Sequence, residues 1–329
     1  MKMRRPWVKS VVVASGLMFA LLAAVPAFSH LANRTAAGGI VARDHWSAQS
    51  FPIPWTLNPN VNSNVQGSRS AADVMQSSFN TWMAAPNAAL SVGRTADSGK
   101  TTTGFDGVNL ICFVCSGDFT KDSGTLAVTL TTIATDVGSS DGRGGKTQFI
   151  GQILDADILF NPSVNFTTGG GSSQDLQTVA THEIGHFFGL SHSAIVRAMM
   201  FPFAPTLQTT LSYDDAAGIS ALYPGNSLAV PTTVISGTVR LGNSAVFGAH
   251  VYAESQSQAD LFAGFNIRKT PIGTLSLPDG SYAIEGVPAD AYRVTAEPLD
   301  LPVVNRDVSG FAPAYGQSSV QTNFTTRWH

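Results

Sequence analysis

The sequence predicts an α+β domain followed by a small all-β sandwich domain. Up to about Pro224, helix-like segments with apolar residues at helical spacing flank a group of strand-like runs, the succession expected of an α+β fold. Beyond "GNSLAVPTT" the pattern changes to short strands separated by regular turn signals. A third observation is chemical: "VATHEIGHFFGLSHSAIVRAMMFP", from Val179 to Pro202, holds three of the chain's seven histidines. The 329 residues are 43% hydrophobic and 12% charged, enough apolar material for a substantial core. Neither a basic run nor a low-complexity tract occurs, which argues against nucleic acid as a partner.

The elements follow in order. Lys2, Arg4, Arg5 and Lys9 precede an apolar run from Val11 to Val25 and the small residues Ala27 and Ser29, the pattern of a signal peptide over residues 1–29. A retained membrane anchor is the alternative; Pro26 and the small residues favour cleavage. Cleavage removes those four positive charges and no acidic ones, taking the formal net charge from −3 to −7, as suits an exported soluble chain without stable membrane association. The α+β domain is expected over 44–225. "FPIPWTLNP" reads as a strand, and "SAADVMQSSFNTWMAA" as a helix capped by Ser70 with apolar Val74, Met75, Phe79, Trp82 and Met83 at helical spacing. "GVNLICFV", "GTLAVTLTTIA" and "GQILDADILFN" read as strands. The histidine helix begins near Gln174, with Ser172 or Ser173 as its cap, and a further helix is expected from Ser212 to Tyr223. Residues 226–232 form a linker and 233–302 the sandwich, with a hairpin turn at Asp279-Gly280 and His250 as a lone structural histidine. Residues 303–329 carry little pattern.

Cys112 and Cys115 are the only cysteines. In an exported chain a local disulfide leads over free thiols and redox chemistry. On an ideal strand positions i and i+3 face opposite sides, so a bond requires a turn or bulge there.

His182 and His186 are four apart, which puts both imidazoles on one helix face within reach of one ion. Glu183 is rotated about 100° from His182, close to such an ion without ligating it, the position of a general base. Gly189 can adopt a left-handed backbone, end the helix and let His192 come round as third ligand. Three neutral imidazoles leave the fourth position of a tetrahedral zinc for water. A chance surface H-E-x-x-H is the competing reading; the match of all five fixed positions in H-E-x-x-H-x-x-G-x-x-H argues against it.

With this motif, the stretch from about Trp46 to Tyr223 resembles the metzincin metalloproteases, a branch of the zincins, and among them the matrixin group. The resemblance implies a twisted mixed sheet with helices, one catalytic zinc on His182, His186 and His192, and Glu183 as general base. "AMMFP" is similar to the family's Met-turn, which implies an apolar base under the metal at Met200; ordinary core packing is the plainer reading. "LSYDDAAGISALY" resembles the closing helix, where Asp214 and Asp215 would bond to the N-terminal segment and the Met-turn. Some features depart. No cysteine precedes Cys112, so thiolate latency is not expected, and a second structural zinc is not expected because His30 and His45 alone precede the active-site helix. Calcium is a further candidate around Asp141, Asp155 and Asp157, against the plainer reading of solvated loop carboxylates. "ISGTV" and "PDGSYAIEGVPADAYRV" resemble carboxypeptidase-regulatory-like modules, which implies an accessory or adhesion role at most.

The sequence thus points to an exported zinc endopeptidase acting on peptide or protein substrates. Two other readings stand beside it: a surface binding protein with a vestigial zinc domain, which the intact Glu183 opposes, and a zinc hydrolase of a non-peptide substrate.

Overall fold

The computed structural model describes residues 8–10, 32–61, 64–115, 119, 124–169, 174–205 and 207–328. Most of the predicted signal segment lies outside these residues; its Val8–Ser10 forms a short strand. Among the described residues no helix is long and apolar enough to cross a membrane.

The N-terminal half is built on a mixed sheet. Its order is Val8–Ser10, Ala127–Ile133, Gln152–Phe160, Leu110–Cys112, Ile53–Leu57 and Val92–Arg94, with His45–Trp46 also pairing with Gln152–Phe160. Ala127–Ile133 runs antiparallel to Gln152–Phe160, and the other pairings are parallel. Gln152–Phe160 is buried along its whole length, as a strand covered on both faces must be. One face is covered by helix α1 (Ala71–Met83) and helix α2 (Leu176–Phe187). α1 has the expected Ser70 cap, its side chain accepting from Asp73 N–H, and buries Val74, Met75, Phe79 and Trp82. Trp55, Phe79, Phe187 and Phe188 form an aromatic core between sheet and helices.

The fold starts earlier than Asp44. Arg34–Ala37 and Ile40–Arg43 make a hairpin across Gly38-Gly39, and Asn33 N–H donates to Gly189 O at 2.9 Å. Cys112 and Cys115 are disulfide-bonded with their Cα atoms 5.7 Å apart. The required turn is present, because the strand ends at Cys112 and the chain bends over Phe113–Cys115.

Helix α3 (Tyr213–Leu222) closes this half, with a capping box between Ser212 and Asp215. The C-terminal half is antiparallel. Ile272–Leu275, His250–Ser255, Tyr292–Glu297 and Arg327–Trp328 form one sheet, and Thr232–Thr238 pairs with Ser281–Pro288. Between them Val251, Ala253, Ile272, Ile284 and Val287 make a second core, joined by Tyr213 and Ala217 of α3. The turn at Asp279-Gly280 forms, with Gly280 at φ +81°, yet it is not the tip of a hairpin within one sheet. The strands on its two sides separate, because Ser281–Pro288 finds a longer partner in Thr232–Thr238. His250 is buried and bonds Glu297 through Nδ1 at 3.0 Å. The patternless segment after residue 302 is folded: a 3-10 turn Asn305–Val308, one turn of helix Phe311–Ala314, and the outer strand Arg327–Trp328. Such short pieces have no periodicity to read and are held by tertiary contact alone.

The halves meet through several bonds. Arg268 N–H donates to Leu211 O, Tyr213 N–H donates to Arg268 O, and Tyr213 OH donates to Asp260 at 2.6 Å. Arg43 pairs with Glu285 at 3.0 Å.

Candidate metal centre

Helix α2 begins at Leu176, two residues later than its sequence suggests. Its cap is Asp175, whose carboxylate accepts from Thr178 N–H at 2.7 Å and Thr178 Oγ1 at 2.8 Å. Ser172 and Ser173 lie outside the described residues. From Thr178 to Phe187 every residue of the helix is buried. Helical spacing stacks His182 and His186 on one face, their ring centroids 4.8 Å apart. The helix stops at Gly189, which has φ +96°; Gly189 N–H donates to His186 O and Leu190 N–H to Gly185 O. That pair of bonds is a Schellman ending. A Cβ on Gly189 would come within 2.0 Å of Asp44 O, so the position needs glycine for space as well as for φ. The turn brings His192 back to within 5.3 Å of His182 and 4.9 Å of His186, centroid to centroid.

The three rings share one hydrogen-bonding scheme. His182 Nδ1 lies 2.7 Å from Met199 O, His186 Nδ1 2.8 Å from Leu190 O, and His192 Nδ1 2.6 Å from Asp307 O. A carbonyl can only accept, so each Nδ1 carries the proton and each Nε2 presents a lone pair. His182 Nε2 and His186 Nε2 then face each other at 3.1 Å with no proton between them. Two opposed lone pairs at that separation call for a cation, and their spacing is close to that of two ligands on one tetrahedral zinc. Burial, with neighbouring His192, holds His182 down at about 3, and burial with both neighbours holds His186 well below the usual imidazole value. Both are therefore neutral at ordinary pH, the form a metal binds. The residues fit a zinc ion on an observation independent of the motif.

Glu183 is fully buried beside this set. Thr129 Oγ1, on the strand Ala127–Ile133, donates to Glu183 Oε2 at 2.7 Å and lies 2.9 Å from Glu183 O. Oε1 is buried without a hydrogen-bond partner. Burial pushes the Glu183 carboxyl up to about 8, with the Thr129 hydroxyl working in the opposite direction.

Met200 packs beneath the helix. A Cβ on Gly185 would lie 2.2 Å from Met200 Sδ and 2.8 Å from Trp82, so the absent side chain lets the Met-turn approach between the two ligand-bearing residues. Asp215 fastens that turn by accepting from Met199 N–H at 2.7 Å and Met200 N–H at 3.1 Å. Asp214 accepts from Ser193 Oγ at 2.6 Å and from Gly273 N–H at 2.8 Å; these bonds run to the loop after His192 and to the C-terminal sheet, rather than to the N-terminal segment expected from the sequence.

Three buried imidazoles gathered about one point, with a carboxyl next to the first of them in the chain, are a donor set that suits zinc. Residues 132–224 match the family model for matrixin. The chain is 39% identical over 99 residues to a hatching enzyme of Paracentrotus lividus, covering 29% of this chain and 16% of that protein. It is 50% identical over 73 residues to metalloendoproteinase 1 of Glycine max, covering 21% and 24%. It is 43% identical over 66 residues to karilysin of Tannerella forsythia, covering 20% and 14%. The chain thus spans less than a quarter of the length of these relatives. Matrixins are zinc-dependent, and the His182, His186 and His192 triad fits their catalytic zinc site.

The aspartates considered for calcium accept backbone donors of the surrounding loops. Asp155 Oδ2 accepts from Gly107 N–H at 3.0 Å, Asp157 accepts from Leu110 and Gly104 N–H at 2.9 Å each, and Asp141 Oδ1 accepts from Arg143 and Gly145 N–H. They brace the surrounding loops. His45 stacks on Phe149 with centroids 4.4 Å apart and bonds Arg43 O, while His30 lies outside the described residues. Burial, then Asp157 and Asp106, push Asp155 up to about 8, with Arg143 pulling the other way. A raised carboxyl favours the fold when protonated, so its contribution is present at acid pH and is lost as pH rises from about 4 through 8. Asp155→Asn removes that dependence. Measured by urea unfolding, the variant should gain on wild type steadily from pH 4.5 to pH 8; a difference independent of pH would refute this.

Sequence reasoning missed Thr129 and Asp307. Thr129 sits in "LAVTLTTIA" with no mark to separate it from its neighbours, and Asp307 acts through its backbone carbonyl, which any residue possesses.

Proposed function

We propose that this chain is an exported zinc endopeptidase in which Glu183 is the general base. The observation that carries the reading is the Glu183 carboxyl: Oε2 is held by Thr129 and Oε1 is left without a partner beside three histidines poised for one ion. Zinc on His182, His186 and His192 would polarise the scissile carbonyl and make water more acidic. Glu183 Oε1 takes a proton from the attacking water and passes it to the leaving amine. Thr129 keeps the carboxyl turned towards the histidines, and Met200 closes the floor beneath them. An extended peptide or protein substrate pairs with the outer edge of Ala127–Ile133 by strand addition. Val8–Ser10 occupies that edge here, and removal of the signal segment opens it. The names of the relatives, metalloendoproteinase among them, agree with peptide substrates. The C-terminal half is a sandwich module of the carboxypeptidase-regulatory-like kind.

The test is a mixed peptide library incubated with the purified protein before and after treatment with a zinc chelator, with bound metal measured in parallel. One zinc per chain is expected, with cleavage falling on the order of 100-fold or more on chelation and returning on zinc addition. Cleavage that survives complete removal of zinc, or a chain isolated without zinc that binds none, would sink the reading.

A further inference from the structure

Two of the three carbonyls that orient the histidines belong to the matrixin segment itself: Met199 O for His182 and Leu190 O for His186. The third does not. His192 Nδ1 donates to Asp307 O across 115 residues of sequence. Asp307 stands in the 3-10 turn Asn305–Val308, in the segment that follows the sandwich strands. We infer that this C-terminal turn is a positioning element of the zinc site, holding His192 in its ligating tautomer and orientation, rather than part of a detachable accessory module. The inference rests on the zinc reading above and extends it to a residue outside the matrixin match.

The turn is held for this task. Val303, Val308 and Phe311 are buried in an apolar cluster that takes in Ala194, two residues after His192, and Phe201, next to Met200. Asp307 Oδ2 accepts from Val304 N–H at 3.0 Å, and Asn305 Oδ1 accepts from Val320 N–H at 3.2 Å, so the turn is braced from both ends. The Arg34 guanidinium lies 5.8 Å from the ring centres of Phe311 and Tyr315, which clasps the segment against the N-terminal hairpin. The same half also reaches the loop between His192 and α3 through Gly273 N–H on Asp214, whose other oxygen holds Ser193 beside the ligand. Carbonyl partners of this sort fix which ring nitrogen bears the proton and where the other points, and their loss lowers metal affinity.

Variants of the full-length chain test it. Val308→Ala empties the apolar seat of the turn, and Asp307→Ala removes the brace on Val304 while keeping the carbonyl. Ile284→Ala disturbs the second core, a cluster separate from the one that seats the turn, and Val308→Ile keeps that seat filled. Zinc dissociation constants are read by competition with a chromophoric chelator, and the visible spectrum of the cobalt-substituted protein reports ligand geometry. Near-ultraviolet circular dichroism identifies the variants that remain folded. Val308→Ala and Asp307→Ala should weaken zinc binding by about tenfold or more and alter the cobalt spectrum. Val308→Ile and Ile284→Ala should stay within about twofold of wild type. Wild-type affinity in a folded Val308→Ala or Asp307→Ala protein would overturn the inference, as would an equal loss in Ile284→Ala. A wild type that binds zinc and cleaves peptides alongside unchanged variants refutes this role alone; a wild type that binds no zinc refutes the peptidase reading with it.

Discussion

Glu183→Ala is expected to bind zinc as wild type does and to lose peptide cleavage by a factor of about 10²–10⁴ in kcat/KM, the range a positioned acid–base group supplies. The two effects separate because Glu183 is next to a ligand without being one. The proposed zinc donors are Nε2 of His182, His186 and His192, each ring oriented by its own backbone carbonyl, and none of those bonds involves Glu183. What the substitution removes is the one carboxyl whose Oε1 is free of hydrogen bonds at the site. Glu183→Gln sharpens the result. It keeps the shape and an oxygen for Thr129, but its amide cannot accept the proton, so it should be impaired to a similar degree. Substantial activity in Glu183→Gln would mean that the side chain acts by hydrogen bonding rather than as a base.

Asp215→Ala is expected to destabilise the fold by about 3–5 kcal/mol, as breaking a buried charged network does. The carboxylate takes Met199 N–H, Met200 N–H, Ser212 N–H and Ser212 Oγ. Alanine would leave those donors buried and unpaired, at about 1–3 kcal/mol for each group left unsatisfied, less whatever relaxation recovers. Burial and Asp214 push Asp215 up to about 6, so the anion is not unusually stable and Asp215→Asn, which keeps one acceptor, should be milder. The damage should reach the metal as well, because the Met199 peptide that donates to Asp215 also carries the carbonyl that orients His182. Urea unfolding with zinc titration measures both. A loss under about 1 kcal/mol would show that the Met-turn holds itself.

Much of the site was legible because its chemistry depends on spacing along one helix. His182, Glu183, His186, Gly189 and His192 are fixed relative to one another by helix geometry and one left-handed glycine, both readable from residue types. The Ser70 cap and the apolar face of α1 were legible for the same local reason. The hairpin from Arg34 to Arg43 carried its signal in Gly38-Gly39, but in a stretch too short in apolar residues to register as part of a core. Thr129, Gly273 and Asp307 were not legible, because each acts on the site from a distant part of the chain. Two of the three act through backbone atoms common to every residue, so side-chain identity holds no trace of the role.

The Asp307 carbonyl has a consequence in time. A chain synthesised from its N-terminus presents α2, and all three histidines, well before residue 307 has emerged. During that interval His192 lacks the acceptor that turns its ring towards the other two. With the role proposed above for the Asp307 turn, full metal-binding strength would come only once residue 307 has emerged and its turn has docked. The order of synthesis would then set a delay between the appearance of the histidine helix and the completion of its site.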